Sequence, residues 1–234
     1  MGQKPKFIYF DLDDTLLDHK VAERNALRDI HHHFDLFEGT TAEELIDKYQ
    51  SVNSKQWGLY SQHKVTREEL QRNRFEITLR ELALDASQYQ KVGQQYMQFY
   101  QNHWQWVEGA REAFQTIREQ YEVGILTNGF AETQKKKFAQ FNLYSTAKHL
   151  VISEEIGVMK PHPAVFEHAT RQTGHDSGDI LYIGDSYNSD VLGGKEYGWN
   201  VAWFTQNGET EKHQKADFVF SDFADLKNIL NVSG

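Results

Sequence analysis

Apolar positions along this 234-residue chain fall into two regimes. In the first, short and nearly unbroken apolar runs recur at residues 7–10 (FIYF), 122–127 (EVGILT), 149–152 (HLVI), 179–184 (DILYIG), 200–205 (NVAWFT) and 217–220 (DFVF). Each has the length of a strand and is rich in Ile, Val, Phe, Tyr or Trp, with polar residues or Gly beyond it. Helical spacing fills most of the gaps, as in GAREAFQTIREQ at 109–120 and HPAVFEHATRQTG at 162–174. Continuous rather than alternating apolar strands imply burial on both faces, and strands alternating with helices imply a parallel sheet. The pattern predicts an α/β fold with a doubly wound, mainly parallel sheet.

In the second regime, from about Val21 to about His103, the strand pattern disappears. Four stretches of helical character follow one another, dense in charge and aromatic residues. Thr41 and Thr66 each precede acidic residues, as helix N-caps do. The expected organisation is an α/β core of residues 1–17 and 106–234, interrupted after its first strand by an all-helical domain of residues 18–105. The flanks at 17–22 and 103–109 are natural hinges between the two.

Composition narrows the partners. The formal net charge of −9 argues against a broad grip on a nucleic-acid polymer or an anionic membrane. An anionic ligand would therefore need a local cation, either a metal or a placed Lys or Arg. With no cysteine, disulfides, thiol nucleophiles and Cys-ligated zinc are excluded, which fits a reducing cytoplasm. No signal-like segment opens the chain, and no apolar run approaches the roughly 20 residues of a membrane helix. The expectation is a soluble, cytoplasmic protein. Oligomeric state is not encoded legibly.

Chemistry gathers where the predicted strands end, which in open α/β sheets is where ligands sit. The first strand runs into Asp11-Leu12-Asp13-Asp14-Thr15, the second into Thr127-Asn128-Gly129. The third is followed by a segment ending Lys160-Pro161, the fourth by Gly184-Asp185-Ser186-Tyr187-Asn188-Ser189-Asp190. Crowded carboxylates repel one another and are costly to bury, so something must offset them. Singly, each motif has a plain reading: a capping acid, a turn, a solvated lysine. His31-His32-His33 cannot readily chelate together from consecutive helical positions, and Lys135-Lys136-Lys137 reads as a solvated helix face.

DLDDT, TNG, KP and GDSYNSD, in that order, resemble the four motifs of the haloacid-dehalogenase-like hydrolase superfamily, with the helical insertion in place of its first type of cap. The resemblance spans the chain and implies a Rossmann-like core with a specificity-setting cap. It implies Asp11 as a carboxylate nucleophile and Asp13 as the acid that protonates the departing oxygen and later activates water. It further implies Mg²⁺ ligated by the Asp11 carboxylate, the Asp13 backbone carbonyl and Asp185. Thr127 and Asn128 would hold phosphoryl oxygens. Lys160 would offset charge on the nucleophile and the transferred group, and Asp190 would orient Lys160 or a metal-bound water.

An acid at position 13 suits phosphoryl transfer, since a dehalogenase has no leaving alkoxide to protonate. Asp14-Thr15-Leu16 after it favours a phosphatase over a mutase. The stretches LTNGFAETQKKKFAQFNL and LVISEEIGVMKP, with VNSKQWGLYSQHKVTREELQRNRFE in the insertion, are similar to bacterial 5′-nucleotidases of the YjjG/YfnB type. The implied substrate is a small phosphate ester, a nucleoside 5′-monophosphate with pyrimidine preference. Trp57, Tyr60 and Phe75 could stack on a base, and Asn53 and Arg74 could contact base or sugar. Aromatic residues in a helical bundle also commonly form its core. Two other functions stay open: a sugar-phosphate or phosphoglycolate phosphatase with the same core, and, more remotely, a phospho-accepting signalling module.

Overall fold

A computed structural model describes residues 4–205 and 215–232. Two compact units divide the chain, residues 1–18 with 106–234 and residues 19–105.

The first unit is built on six parallel strands: β1 Phe7–Phe10, β2 Glu122–Thr127, β3 His149–Ile152, β4 Ile180–Gly184, β5 Asn200–Phe204 and β6 Phe218–Phe220. Their order across the sheet is β3-β2-β1-β4-β5-β6. Between and after them run α5 (Ala110–Arg118), α6 (Ala131–Gln140), the short α7 (Leu143–Thr146) and α8 (Ser153–Ile156), α9 (Pro163–Thr173), a π-helical turn (Tyr187–Leu192), α10 (Gly193–Tyr197) and α11 (Phe223–Leu230). All four residues of β1 are fully buried. Ile8 and Phe10 point into a layer with Phe114, Phe138, Leu226 and Leu230, from helices on one side. Phe7 and Tyr9 point the other way, onto Val165, Phe166, Ala169 and Trp199. Two-sided burial is the physical reason these strands lack alternation.

β1 is central, pairing with β2 and β4, with Phe10 opposite both Ile125 and Ile183. The chain winds outward through β2 and β3 on one side and through β4, β5 and β6 on the other. The order therefore reverses beside β1, and the crevice at its carboxyl end is the place such sheets offer a ligand. Backbone pairing continues one residue past β1, with Asp11 N–H donating to the Ile183 carbonyl at 2.8 Å. That bond anchors the first residue of the acidic motif to the sheet.

The second unit holds α1 (His19–His33), α2 (Ala42–Ser61), α3 (Arg67–Glu81) and α4 (Tyr89–Asn102). Thr41 and Thr66 both form complete capping boxes, with Glu44 and Glu69 as the reciprocal partners. Each such cap is worth about 1 kcal/mol. The bundle interior is Ala22, Leu27, Ile30, Ile46, Tyr49, Leu70, Phe75, Leu79, Val92 and Tyr96. Among the described residues, no helix is long and apolar enough to cross a membrane.

Candidate active site

Lys160 is the centre of the arrangement. It follows β3 by way of α8 and is 4 % exposed, with its Nζ 2.8 Å from Asp11 Oδ1 and 2.8 Å from Asp190 Oδ1. The Tyr182 hydroxyl and the Leu126 carbonyl, 3.2 Å away, complete its surroundings. An ammonium has three protons for these four acceptors. The tyrosine resolves the count, because its own O–H reaches the Leu126 carbonyl at 2.9 Å. Lys160 can then donate to Asp11, Asp190 and Tyr182. Burial works against the Lys160 charge, yet the Asp11 and Asp190 carboxylates outweigh it and hold the ammonium above its ordinary pKa.

Asp190 is fully buried in the π-helical turn. Its Oδ1 faces Lys160, while its Oδ2 accepts from the Ser186 backbone N–H at 2.9 Å. Gly184 makes room for it: a Cβ there would lie 2.4 Å from Asp190 Oδ2. The glycine that ends β4 is thus required by the acid six residues on. Of the two orienting roles expected for Asp190, this geometry pairs it with Lys160.

Asp11 sits at the end of β1. Burial pushes its carboxyl well above the usual range; Lys160 pulls it back down, and Asp190 and Asp185 push it up again. Asp185, at the end of β4, accepts from the Thr15 hydroxyl at 3.1 Å, and its carbonyl accepts from Trp203 Nε1 at 2.8 Å. Carboxylate oxygens of Asp11, Asp185 and Asp190 lie within 4.8 Å of one another. Three carboxylates against one buried ammonium leave an excess of negative charge, and their hard oxygen donors suit Mg²⁺. The residues present therefore fit the cation that the motifs imply.

Thr127 ends β2 and is fully buried. Asn128 is locked to the lysine segment from both ends of its amide, accepting from Lys160 N–H at 2.9 Å and donating to the Lys160 carbonyl at 3.1 Å. These two bonds tie the turn after β2 to the segment carrying Lys160, whose peptide bond to Pro161 is cis.

Asp13 is held by α6. Gln134 Nε2 donates to its Oδ2 at 2.9 Å, and Lys137 Nζ donates to its Oδ1. This corrects the reading of the lysine run: Lys135 and Lys136 are exposed, but Lys137 is 1 % exposed. Three consecutive helical residues point about 100° apart, so a run of one residue type cannot lie on one face. Lys137, Gln134 and Tyr182 are the site-lining residues that sequence reasoning did not find. Spacing of Gln134 and Lys137 by three residues is the one signal that puts them on a common face.

In the helical unit, the five residues considered for base or sugar contact differ in surroundings. Phe75 is packed between the Tyr49 and Tyr96 rings, 5.2 and 5.3 Å away, as part of the bundle interior. Asn53 is buried and donates to Glu23 at 3.2 Å. Arg74 lies over the Phe75 and Tyr96 rings. Trp57 and Tyr60 are half-buried on α2, their rings edge to face at 5.8 Å.

Residues 8–204 match the family model described as haloacid dehalogenase-like hydrolase. The chain belongs to the haloacid dehalogenase-like hydrolases. It is 31% identical over 209 residues to the pyrimidine 5′-nucleotidase YjjG of Escherichia coli, covering 84% of each chain. It is 30% identical over 200 residues to the HAD-hydrolase YfnB of Bacillus subtilis, covering 84% of this chain and 82% of that one. A glyceraldehyde 3-phosphate phosphatase of Pyrococcus abyssi is 30% identical over 208 residues, covering 85% of this chain and 81% of the relative. The crystal structure of B. subtilis YfnB bound to magnesium superposes with a TM-score of 0.85 at 26% identity, over 98% of this chain and 100% of that one.

Proposed function

We propose that this hydrolase is a Mg²⁺-dependent phosphatase that cleaves small phosphate monoesters through an aspartyl-phosphate on Asp11. The observation that carries the reading is the pairing of two acids at the end of β1 with different partners. Asp11 faces a buried lysine, which offsets the charge of an ionised nucleophile, and Asp13 is held by two donors of α6. One acid for attack and one for proton transfer is what ester cleavage requires.

In this mechanism an Asp11 carboxylate oxygen attacks phosphorus and the ester P–O bond breaks. Asp13 gives its proton to the departing oxygen. Water then attacks the same phosphorus, Asp13 accepts its proton, and the bond between phosphorus and Asp11 breaks to release inorganic phosphate. Lys160, aimed by Asp190 and Tyr182, offsets negative charge on Asp11 and the transferred group. Thr127 and Asn128 bind phosphoryl oxygens. The Asp11 carboxylate, the Asp13 carbonyl and Asp185 would hold Mg²⁺, which supplies compensation of phosphoryl charge.

Residues 1–17 and 106–234 act as the catalytic core in this reading, and residues 18–105 as the cap that selects the substrate. The proposed substrate is a nucleoside 5′-monophosphate, pyrimidine ones foremost. Support comes from the relative named as a pyrimidine 5′-nucleotidase, which matches over most of both chains. Half-buried Trp57 and Tyr60 are the aromatic faces proposed to meet the base, with Asn53 and Arg74 as polar partners. The relative named as a glyceraldehyde 3-phosphate phosphatase, at nearly the same identity, supports the second reading, a sugar-phosphate phosphatase.

The two are separated by phosphate release from UMP, dUMP, dTMP, simple sugar phosphates and phosphoglycolate, each with Mg²⁺ and with EDTA. EDTA-sensitive turnover led by the pyrimidine nucleotides supports the nucleotidase. Turnover confined to sugar phosphates or phosphoglycolate keeps the chemistry and replaces the substrate.

A further inference from the structure

The contact between α6 and Asp13 marks out the second acid, but the mechanism so far gives Gln134 and Lys137 no task. Gln134 and Lys137 lie one turn apart on α6, are 2 % and 1 % exposed, and both donate to the same carboxylate, 121 and 124 residues away in sequence. Gln134 takes Asp13 Oδ2 and Lys137 takes Oδ1, so the plane of the carboxylate is fixed from one side. A carboxylate offers about four lone-pair directions, and the clamp uses one on each oxygen. Asp13 itself keeps about a quarter of its side chain exposed, at 23%.

The turn leading into α6 is shaped for this clamp. Gly129 has φ 153°, and a Cβ there would lie 2.1 Å from Gln134 Nε2, so any larger residue would occupy the path of the amide. The same turn carries Thr127 and Asn128. The proposed phosphoryl-binding groups and the clamp are thus mounted on one continuous stretch of backbone, from the end of β2 into α6.

Stability alone does not account for a buried lysine here. Desolvating an ammonium costs several kcal/mol, and an apolar side chain of similar volume is commonly as stable or more so. A buried charge holding a partly exposed one instead restricts where the exposed carboxyl can point. Catalytic groups displaced by about 1 Å can lose two orders of magnitude in rate.

The geometry points to Gln134 and Lys137 as positioning residues that aim the Asp13 carboxyl at the leaving-group oxygen of the substrate. The inference rests on the phosphatase reading, and it assigns a role to α6 that the four motifs do not contain. It makes a prediction peculiar to proton delivery. An alkoxide leaving group, as in UMP, needs the proton; p-nitrophenolate does not. Because kcat/KM is set by steps up to the first irreversible one, comparing the two esters isolates leaving-group departure from the later attack of water.

The test is kcat/KM for UMP and for p-nitrophenyl phosphate in wild type, Lys137→Met, Gln134→Met, Asp13→Asn and Asp13→Asn/Lys137→Met, with melting curves for each. Lys137→Met is expected to lose about 10²-fold on UMP and at least about tenfold less on p-nitrophenyl phosphate, with Gln134→Met shifted the same way. In the Asp13→Asn background, Lys137→Met should cost almost nothing further, since the clamp then has no acid to aim. Equal losses on both esters, or a Lys137→Met loss that persists without Asp13, would overturn the clamp. If Lys137→Met does not fold, Gln134→Met decides by the same ratio. A wild type that hydrolyses neither of these esters nor any sugar phosphate or phosphoglycolate overturns the phosphatase reading itself; one active only on a sugar phosphate is tested with that ester in place of UMP, and an active wild type with an unshifted ratio overturns only the role of α6.

Discussion

Asp190 Oδ1 lies 2.8 Å from Lys160 Nζ, on an acid that is fully buried and held in turn by the Ser186 backbone N–H. The lysine that faces Asp11 is therefore fixed from behind by a group no substrate can reach. Removing one partner of a buried ion pair leaves an uncompensated charge and costs about 3–5 kcal/mol. Asp190→Ala should fall at the lower end, about 3 kcal/mol in urea unfolding, because Asp11 still partners Lys160. Turnover should fall as well, through a misaimed ammonium. A variant with wild-type stability and rate would show that Asp190 is dispensable.

Trp57→Ala tests the substrate-selecting role proposed for the helical unit. Stacking of a base on an aromatic ring is worth about 1–3 kcal/mol, so KM for UMP should rise about tenfold with kcat little changed. Ribose 5-phosphate carries no base, and its kinetic constants should stay as in wild type. An unchanged KM for UMP would remove Trp57 from base recognition.

His149 predicts an acid-side dependence of stability. Burial first, then the adjacent Lys148, hold its pKa below the ordinary 6.5, and its ring stacks on Phe7 at 5.5 Å. The unfolded chain therefore binds this proton more readily than the folded one. Stability from a neutral His149 is present above pH 6.5 and is lost as the pH falls below it. Melting curves from pH 7.5 to 5 should show wild type losing more than His149→Gln over that interval. Parallel losses would mean that His149 is not the group responsible.

The parallel strands were the most legible feature of the sequence, because two-sided burial demands unbroken apolar runs, and β1, β2 and β3 fall on the expected residues. Ends shift where a polar residue flanks the run: β4 begins at Ile180 rather than Asp179, and β6 at Phe218 rather than Asp217. The acidic motifs were legible because four strand ends meet at one edge. Lys137 was not, since its two lysine neighbours have the same chemistry and only a partner 124 residues away distinguishes it. Tyr182 was hidden for another reason. Inside DILYIG it reads as one more apolar strand residue, while its hydroxyl settles the hydrogen bonding of Lys160. Phe75 and Trp57 look alike in sequence, yet one is packed in the bundle interior and the other is half-buried.

The central claim is that Asp11 is the nucleophile, and Asp11→Asn tests it most directly. Asn keeps the shape of the Asp11 side chain, and Asp190 still partners the buried Lys160. The variant should therefore fold, which a melting curve checks. Phosphate release from UMP at saturating Mg²⁺, measured on that folded variant, should fall by about 10³-fold or more. A folded Asp11→Asn protein that keeps a substantial share of wild-type turnover would contradict the account.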